Sequence, residues 1–271
     1  MITESYVPCL ESDYNLHKSN STYFSDLDVT RLHIVCTLLE PGIAALRNNS
    51  RNKIVFDRAG TPVKGAWSIV LGGVMCTFKR EIGMYRGYEM WSRVLCWDKK
   101  WIYIVTHFVK KGAVKPKAYV LTDGSWFRKR GYRSVKRSQG EREVKEVDEK
   151  AILASAISKY VVKLGRLTIH PEVSLNASGL LPPKPGGWAT MMGDSKEPIA
   201  ETIGGQSMPE TLEVENENLE VKGDGWDWRR IEAENKKGLK YAEHFAALDG
   251  LHGEFTGSHQ AALGKYRDFL L

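Results

Sequence analysis

A carboxylate, an imidazole, an amide and a phenol fall within eleven residues near the start of the chain. They are Asp13, His17, Asn20 and Tyr23, in the run Asp-Tyr-Asn-Leu-His-Lys-Ser-Asn-Ser-Thr-Tyr. An apolar pattern with helical spacing follows at once. A helix N-terminus gathers unpaired backbone N–H groups and the positive end of the helix dipole. A carboxylate beside it can deprotonate water or attack a carbonyl, while the N–H groups hold the carbonyl oxygen as it gains charge. That is acyl-transfer chemistry. Asp13 is the candidate base or nucleophile, since carboxylates are ordinarily ionised near neutral pH. Asn20 and Tyr23 are assigned to positioning, and His17 to orienting the loop or carrying a proton. Asp26 and Asp28, just inside the helix, are alternative carboxylates. Arg31 pairs with Asp28 at helical spacing. A loop Asp ahead of a helix serves equally well as a plain turn or cap residue. No G-x-S-x-G elbow and no zinc-type His/Cys spacing occurs, so neither nucleophile-elbow nor zinc chemistry is indicated. No cofactor or metal is expected.

The spacing Asp-x3-His-x2-Asn-x2-Tyr, with Arg31 eight residues after the Tyr, resembles hot-dog-fold acyl thioesterases of the 4-hydroxybenzoyl-CoA thioesterase type. The likeness extends to the broader thioesterase-like superfamily, whose fungal members often lie near biosynthetic genes. A second stretch carries it too: Phe78-Lys-Arg-Glu-Ile-Gly-Met-Tyr, then Arg93-Val-Leu-Cys-Trp-Asp-Lys-Lys-Trp-Ile-Tyr-Ile. The resemblance covers residues 6–121. Where the family loop commonly has two adjacent Asn residues, this chain has Ser19 and Asn20. The resemblance implies an α+β hot-dog fold, an antiparallel sheet wrapped around a long central helix. It also implies a homodimer with sites at the dimer interface, and Asp13 as nucleophile or general base. The implied substrate is an acyl, polyketide or related secondary-metabolite thioester, carried on coenzyme A or a carrier protein. Residues 13–17 also partly resemble the Asp-x-Asn-x-x-His pattern of hot-dog hydratases, with His17 one residue closer. Two alternatives therefore stand beside hydrolysis. One is a lyase, isomerase or cyclase working in the same pocket. The other is a non-catalytic lipid or metabolite binder.

These groups must be placed by regular elements. Residues 4–11 read as an edge strand, irregular at Pro8. Residues 20–39 carry Tyr23, Phe24, Leu27, Leu32, Ile34, Val35, Leu38 and Leu39 at helical spacing, capped by Asn20 or Ser21 and closed by Pro41-Gly42. Residues 48–57 are polar and turn-like. Residues 66–79, 88–97, 101–110 and 117–121 read as strands, with a bulge at Gly72-Gly73 and a turn at Asp98-Lys-Lys. Strands after one helix give an α+β order. Trp67, Trp91, Trp97 and Trp101 either line an acyl pocket or pack the core. Residues 150–164 have helical spacing with a stop at Gly165. A helix opens again at Gly225-Trp-Asp-Trp. The expected division is a hot-dog domain over 1–135, a charged segment and helix over 136–175, a Pro/Gly/acidic linker over 176–222, and a C-terminal helical extension over 223–271.

At 271 residues with a net charge of +6, the chain is long enough to bury a core without staples. Cys9, Cys36, Cys76 and Cys96 form no C-x-x-C pair and read as buried free thiols of a reducing compartment. The N-terminal Met-Ile-Thr-Glu-Ser lacks a signal's basic start and apolar core, and no unbroken apolar run reaches the roughly 18–20 residues of a membrane span. A cytoplasmic protein is the expectation. The Trp126-Phe127-Arg128-Lys129-Arg130 run has the residue types of a nucleic-acid surface, but a basic hairpin or attraction to an anionic carrier is the preferred reading. Neither nucleic acid nor a membrane span is expected.

Overall fold

The computed structural model describes residues 1–57, 59–116, 149–189, 191–192 and 227–252. Strand β1 is Ile2–Tyr6, and a single tight turn at Cys9–Glu11 leads into the loop that carries Asp13. Helix α1 runs Asn20–Arg47. Its inward positions, Tyr23, Leu27, Thr30, Arg31, Ile34, Val35, Leu39 and Leu46, recur every three or four residues and form one face. The helix passes through Pro41 rather than stopping there. Pro41 removes one N–H from the ladder. Packing on either side outweighs that loss: Ile43 and Leu46 join the core, and Gly42 lies so close to a later helix that a Cβ would sit 2.7 Å from the Ser174 carbonyl oxygen.

The expected turn at 48–57 contains a short helix, α2 (Asn49–Asn52), and strand β2 (Val55–Phe56). Both rest on the buried side chain of Asn49, which bonds the backbone of Ile54, Val55 and Val63. Strands β3 (Trp67–Phe78), β4 (Gly87–Trp97) and β5 (Trp101–Lys110) lie where the sequence places them. The bulge at Gly72 is present, and a Cβ there would lie 2.3 Å from the Trp101 ring. The expected strand at 117–121 and the charged segment up to residue 148 lie outside the described residues.

Residues 150–164 correct the sequence reading. They form strand β6 (Ile152–Leu164), not a helix. The strand is central, antiparallel to β5 on one side and to β3 on the other. One face meets α1 while part of the other lies under a C-terminal helix, so Lys159, Val161, Val162 and Leu164 are buried and the alternation that marks a strand is lost. The sheet therefore extends past residue 135. Its order is β1-β4-β5-β6-β3, with β7 (Leu167–Ile169) added beside β6.

The sheet packs its inner face on α1, as the hot-dog arrangement requires. One core cluster joins Ile34, Val35 and Leu39 to Ile102, Ile104 and Val162, and to Val173 and Leu175 of helix α3 (Pro171–Ala177). A second joins Tyr23 and Leu27 to Tyr88, Met90 and Phe108 beneath the N-terminal loop. By length and composition α1 is apolar enough to cross a membrane, a property that a buried core helix shares. Here it is the helix that the sheet covers. A two-residue strand, β8 (Met191–Met192), pairs with β2. Helix α4 (Trp228–Ala247), the expected C-terminal helix, lies on the outer face, where Ala242 and Phe245 meet Cys96 and Tyr103.

Candidate active site

The loop between Glu11 and α1 is folded on itself. Ser12 and Lys18 form a bridge, the Asp13 N–H donates to the His17 carbonyl at 2.8 Å, and the Leu16 N–H donates to the Asp13 carbonyl at 3.0 Å. This tight turn holds Leu16 at a φ of 61°, a left-handed conformation that non-glycine residues rarely adopt. Asp13 stabilises it from within: its Oδ1 accepts the N–H groups of Asn15 at 2.9 Å and His17 at 3.2 Å. Oδ2 takes part in neither bond. The half-buried Asp13 carboxylate thus both shapes the turn and retains an oxygen outside it.

Ser19, the residue that replaces the family Asn, occupies the cap position of α1. Its side chain makes no cap bond and lies 3.1 Å from the Ser21 hydroxyl. Neither Asn20 nor Ser21 is the cap. Asn20 sits exposed on the first turn. With no cap bond from the Ser19 side chain, the start of the helix is suited to an oxygen that takes up negative charge.

His17 bridges to Gly83 in the β3–β4 connection, and its Nε2 lies 3.6 Å from Glu81 Oε1. Glu81 had no role in the sequence reading, although it lies within the second resembling stretch. Tyr23 points inward: it is 2% exposed and packs against Phe78 and Phe108 with ring centroids 5.0 and 4.9 Å away. Burial pushes its phenol up to about 12, so it stays protonated.

The alternative carboxylates are engaged. Asp26 accepts the Tyr88 hydroxyl and lies 2.9 Å from Lys18 Nζ. Asp28 pairs with Arg31, as its spacing predicts, and the Arg31 Nη1 donates to Ser158 at 2.8 Å. Lys18 is fully buried between Asp26 and Glu11, the latter 2.6 Å away. Sequence reasoning passed over Lys18, because a lysine in a polar loop reads as solvated.

Trp67 and Trp97 pack on the inner core, Trp101 packs on the outer cluster under α4, and Trp91 donates to Glu89. Trp97 donates to Glu172 of α3. The apolar gap between α1 and the sheet, lined by Ile34, Leu38, Ile69, Val94 and Ile104 among others, measures about 10 Å³. That is room for about one water, not for an acyl chain.

Residues 7–150 match the model of the thioesterase-like superfamily. The thioesterase poxG of Penicillium oxalicum is 35% identical over 269 residues, spanning 98% of this chain and 73% of its own length. The probable thioesterase atnL of Emericella nidulans is 33% identical over 270 residues, spanning 99% of this chain and 74% of its own. Among solved structures, the probable thioesterase YbaW of Escherichia coli aligns over 66% of this chain and 96% of that one, with a TM-score of 0.40 and 11% identity.

Proposed function

The chain belongs to the thioesterase-like superfamily, and from that premise we propose that it hydrolyses an acyl thioester with Asp13 as base or nucleophile. The observation that carries this assignment is the folded loop, which holds a half-buried carboxylate just ahead of an uncapped helix N-terminus. A carboxylate oxygen outside the turn acts on water or on the thioester carbonyl. The first-turn N–H groups of α1 take the developing oxyanion, and His17, with Glu81 beside it, handles the proton of the leaving thiol. The substrate is an acyl, polyketide or related secondary-metabolite thioester, on coenzyme A or a carrier protein.

The site is completed by a second copy of the chain. Support comes from β3, a twelve-residue edge strand on which Val70, Leu71, Met75 and Phe78 are each at least 39% exposed. A long apolar edge of this kind is normally covered. A cytoplasmic location fits four unpaired cysteines.

One observation favours a second reading. The bonds from Asn15 and His17 give Asp13 a complete structural role. A lyase, isomerase or cyclase that works by shape and hydrogen bonding would need no free carboxylate. The test is thiol release from a panel of acyl-coenzyme A substrates of graded length, with product masses recorded in parallel. Turnover with free acid as product supports hydrolysis. Mass-neutral conversion or loss of water, without thiol release, replaces it with the second reading.

A further inference from the structure

Among the described residues, Lys18 is the one lysine whose side chain is wholly enclosed beside the candidate site, with 0% of it exposed. Burying an ammonium is costly unless it is paired, and an apolar side chain of similar volume often serves stability as well or better. The placement of this charge therefore calls for another reason. Its partners come from three separate parts of the fold. Glu11 Oε2, at the entrance of the loop, is 2.6 Å away. Asp26 Oδ2, on α1, is 2.9 Å away and also accepts the Tyr88 hydroxyl from β4. The rings of Tyr23 and Tyr88 flank the ammonium at 5.5 and 5.4 Å. Asp13 and its turn lie between Glu11 and Lys18, while His17 and Ser19 are the immediate neighbours of Lys18 in the chain.

We propose that Lys18 is a positioning residue. Its ion pairs with Glu11 and Asp26 clamp both ends of the Asp13 turn against the start of α1 and against β4. The clamp fixes where the Asp13 carboxylate stands relative to the helix N-terminus. It also keeps Asp26 occupied, so that Asp13 is the carboxylate available for chemistry. The catalytic half of this inference rests on the hydrolytic reading above; the structural half does not.

Lys18→Met alone strands the Asp26 charge in the interior, so the informative protein is the double variant Lys18→Met with Asp26→Asn. The amide oxygen introduced by Asp26→Asn still accepts the Tyr88 hydroxyl, and the one carboxylate that loses its partner, Glu11, is 35% exposed and reaches water. We expect a melting temperature near that of the wild type. The amides of residues 13, 18 and 19, which now donate to His17, Ile82 and Glu11, should exchange with solvent faster. On an accepted thioester, kcat should fall by about 100-fold with KM changed much less, the signature of a misplaced reacting group. Glu11→Ala, which cuts only the link at the loop entrance, should move both readouts the same way by a smaller factor and serves if the double variant does not fold. Unchanged exchange at these amides would overturn the clamp, whether or not the wild type hydrolyses thioesters. Faster exchange with unchanged kcat would overturn its catalytic consequence. A wild type inactive on the whole panel counts against the hydrolytic reading, and exchange then decides the clamp by itself.

Discussion

The C-terminal helix offers the sharpest stability prediction. β1 pairs with β4 only as far as Trp91, so the last residues of β4 present an open edge. At Trp97 that edge is filled by one side chain of α4. Asn235 Oδ1 accepts the Trp97 N–H at 2.7 Å, and Asn235 Nδ2 donates to the Trp97 carbonyl at 3.1 Å. The carboxamide thus stands in for the peptide group of a missing strand. Asn235→Ala removes both bonds. Two partly buried backbone groups lose their partners at roughly 1 kcal/mol each, and incomplete access of water adds to this, for a total of about 2–3 kcal/mol. For a protein of this size that corresponds to a fall in melting temperature of about 4–10 °C, measured by calorimetry or circular dichroism. Gly238→Ala tests the same docking by a different route. Its Cβ would sit 2.6 Å from the Leu95 carbonyl oxygen and 2.8 Å from Cys96 Cβ, so helix and strand must separate. Both variants should release α4 to protease before the sheet unfolds. An Asn235→Ala protein that melts within about 1 °C of the wild type would refute the view that this contact holds the helix in place.

Two further outcomes follow from burial. His107, which meets the Ser155 hydroxyl at 2.9 Å, has its pKa lowered by burial and then by the Arg93 and Lys79 charges; His170 is lowered mainly by burial. Below about pH 6.5 the unfolded chain binds protons at these groups that the folded chain does not. Stability should therefore be full above that pH and decline as pH falls towards 5, and His107→Gln should flatten the decline in a melting series. The cysteines divide into two classes rather than being uniformly buried. Cys9 and Cys36 are exposed, whereas burial pushes Cys76 up to about 11 and Cys96 up to about 12. A thiol reagent should titrate two cysteines in the native protein and four only after unfolding; four fast-reacting thiols would contradict the described core.

What could be read from the sequence follows the physics of each segment. Helix α1 was legible because its buried positions share one face, and strands β3 to β5 because their apolar, β-branched and aromatic runs are bounded by turn residues such as Asp98. β6 was not, because neighbours on both of its faces erase the alternation, and Ile152, Ile157, Val161 and Leu164 then mimic helical spacing. Pro41 misled for a related reason: a local breaker was outweighed by packing that only the assembled α1–α3 contact supplies. At the candidate site, Asp13 and His17 could be picked out because their types and spacing are local. The Lys18 cluster could not, since Glu11, Asp26 and Tyr88 converge only when loop, helix and sheet meet. Glu81 was hidden likewise, because it comes from a different connection.

The central claim is that the Asp13 carboxylate performs chemistry beyond shaping its own turn, and Asp13→Asn separates the two roles. The amide oxygen can still accept the N–H groups of Asn15 and His17, so the turn and the melting temperature should be largely preserved, while the negative charge is lost. The decisive measurement is kcat/KM for one accepted acyl thioester, wild type against Asp13→Asn, at matched stability. A fall of at least about 100-fold is predicted, the scale of a lost general base. Equal rates in the two proteins would contradict the account and leave Asp13 as a residue of the fold alone.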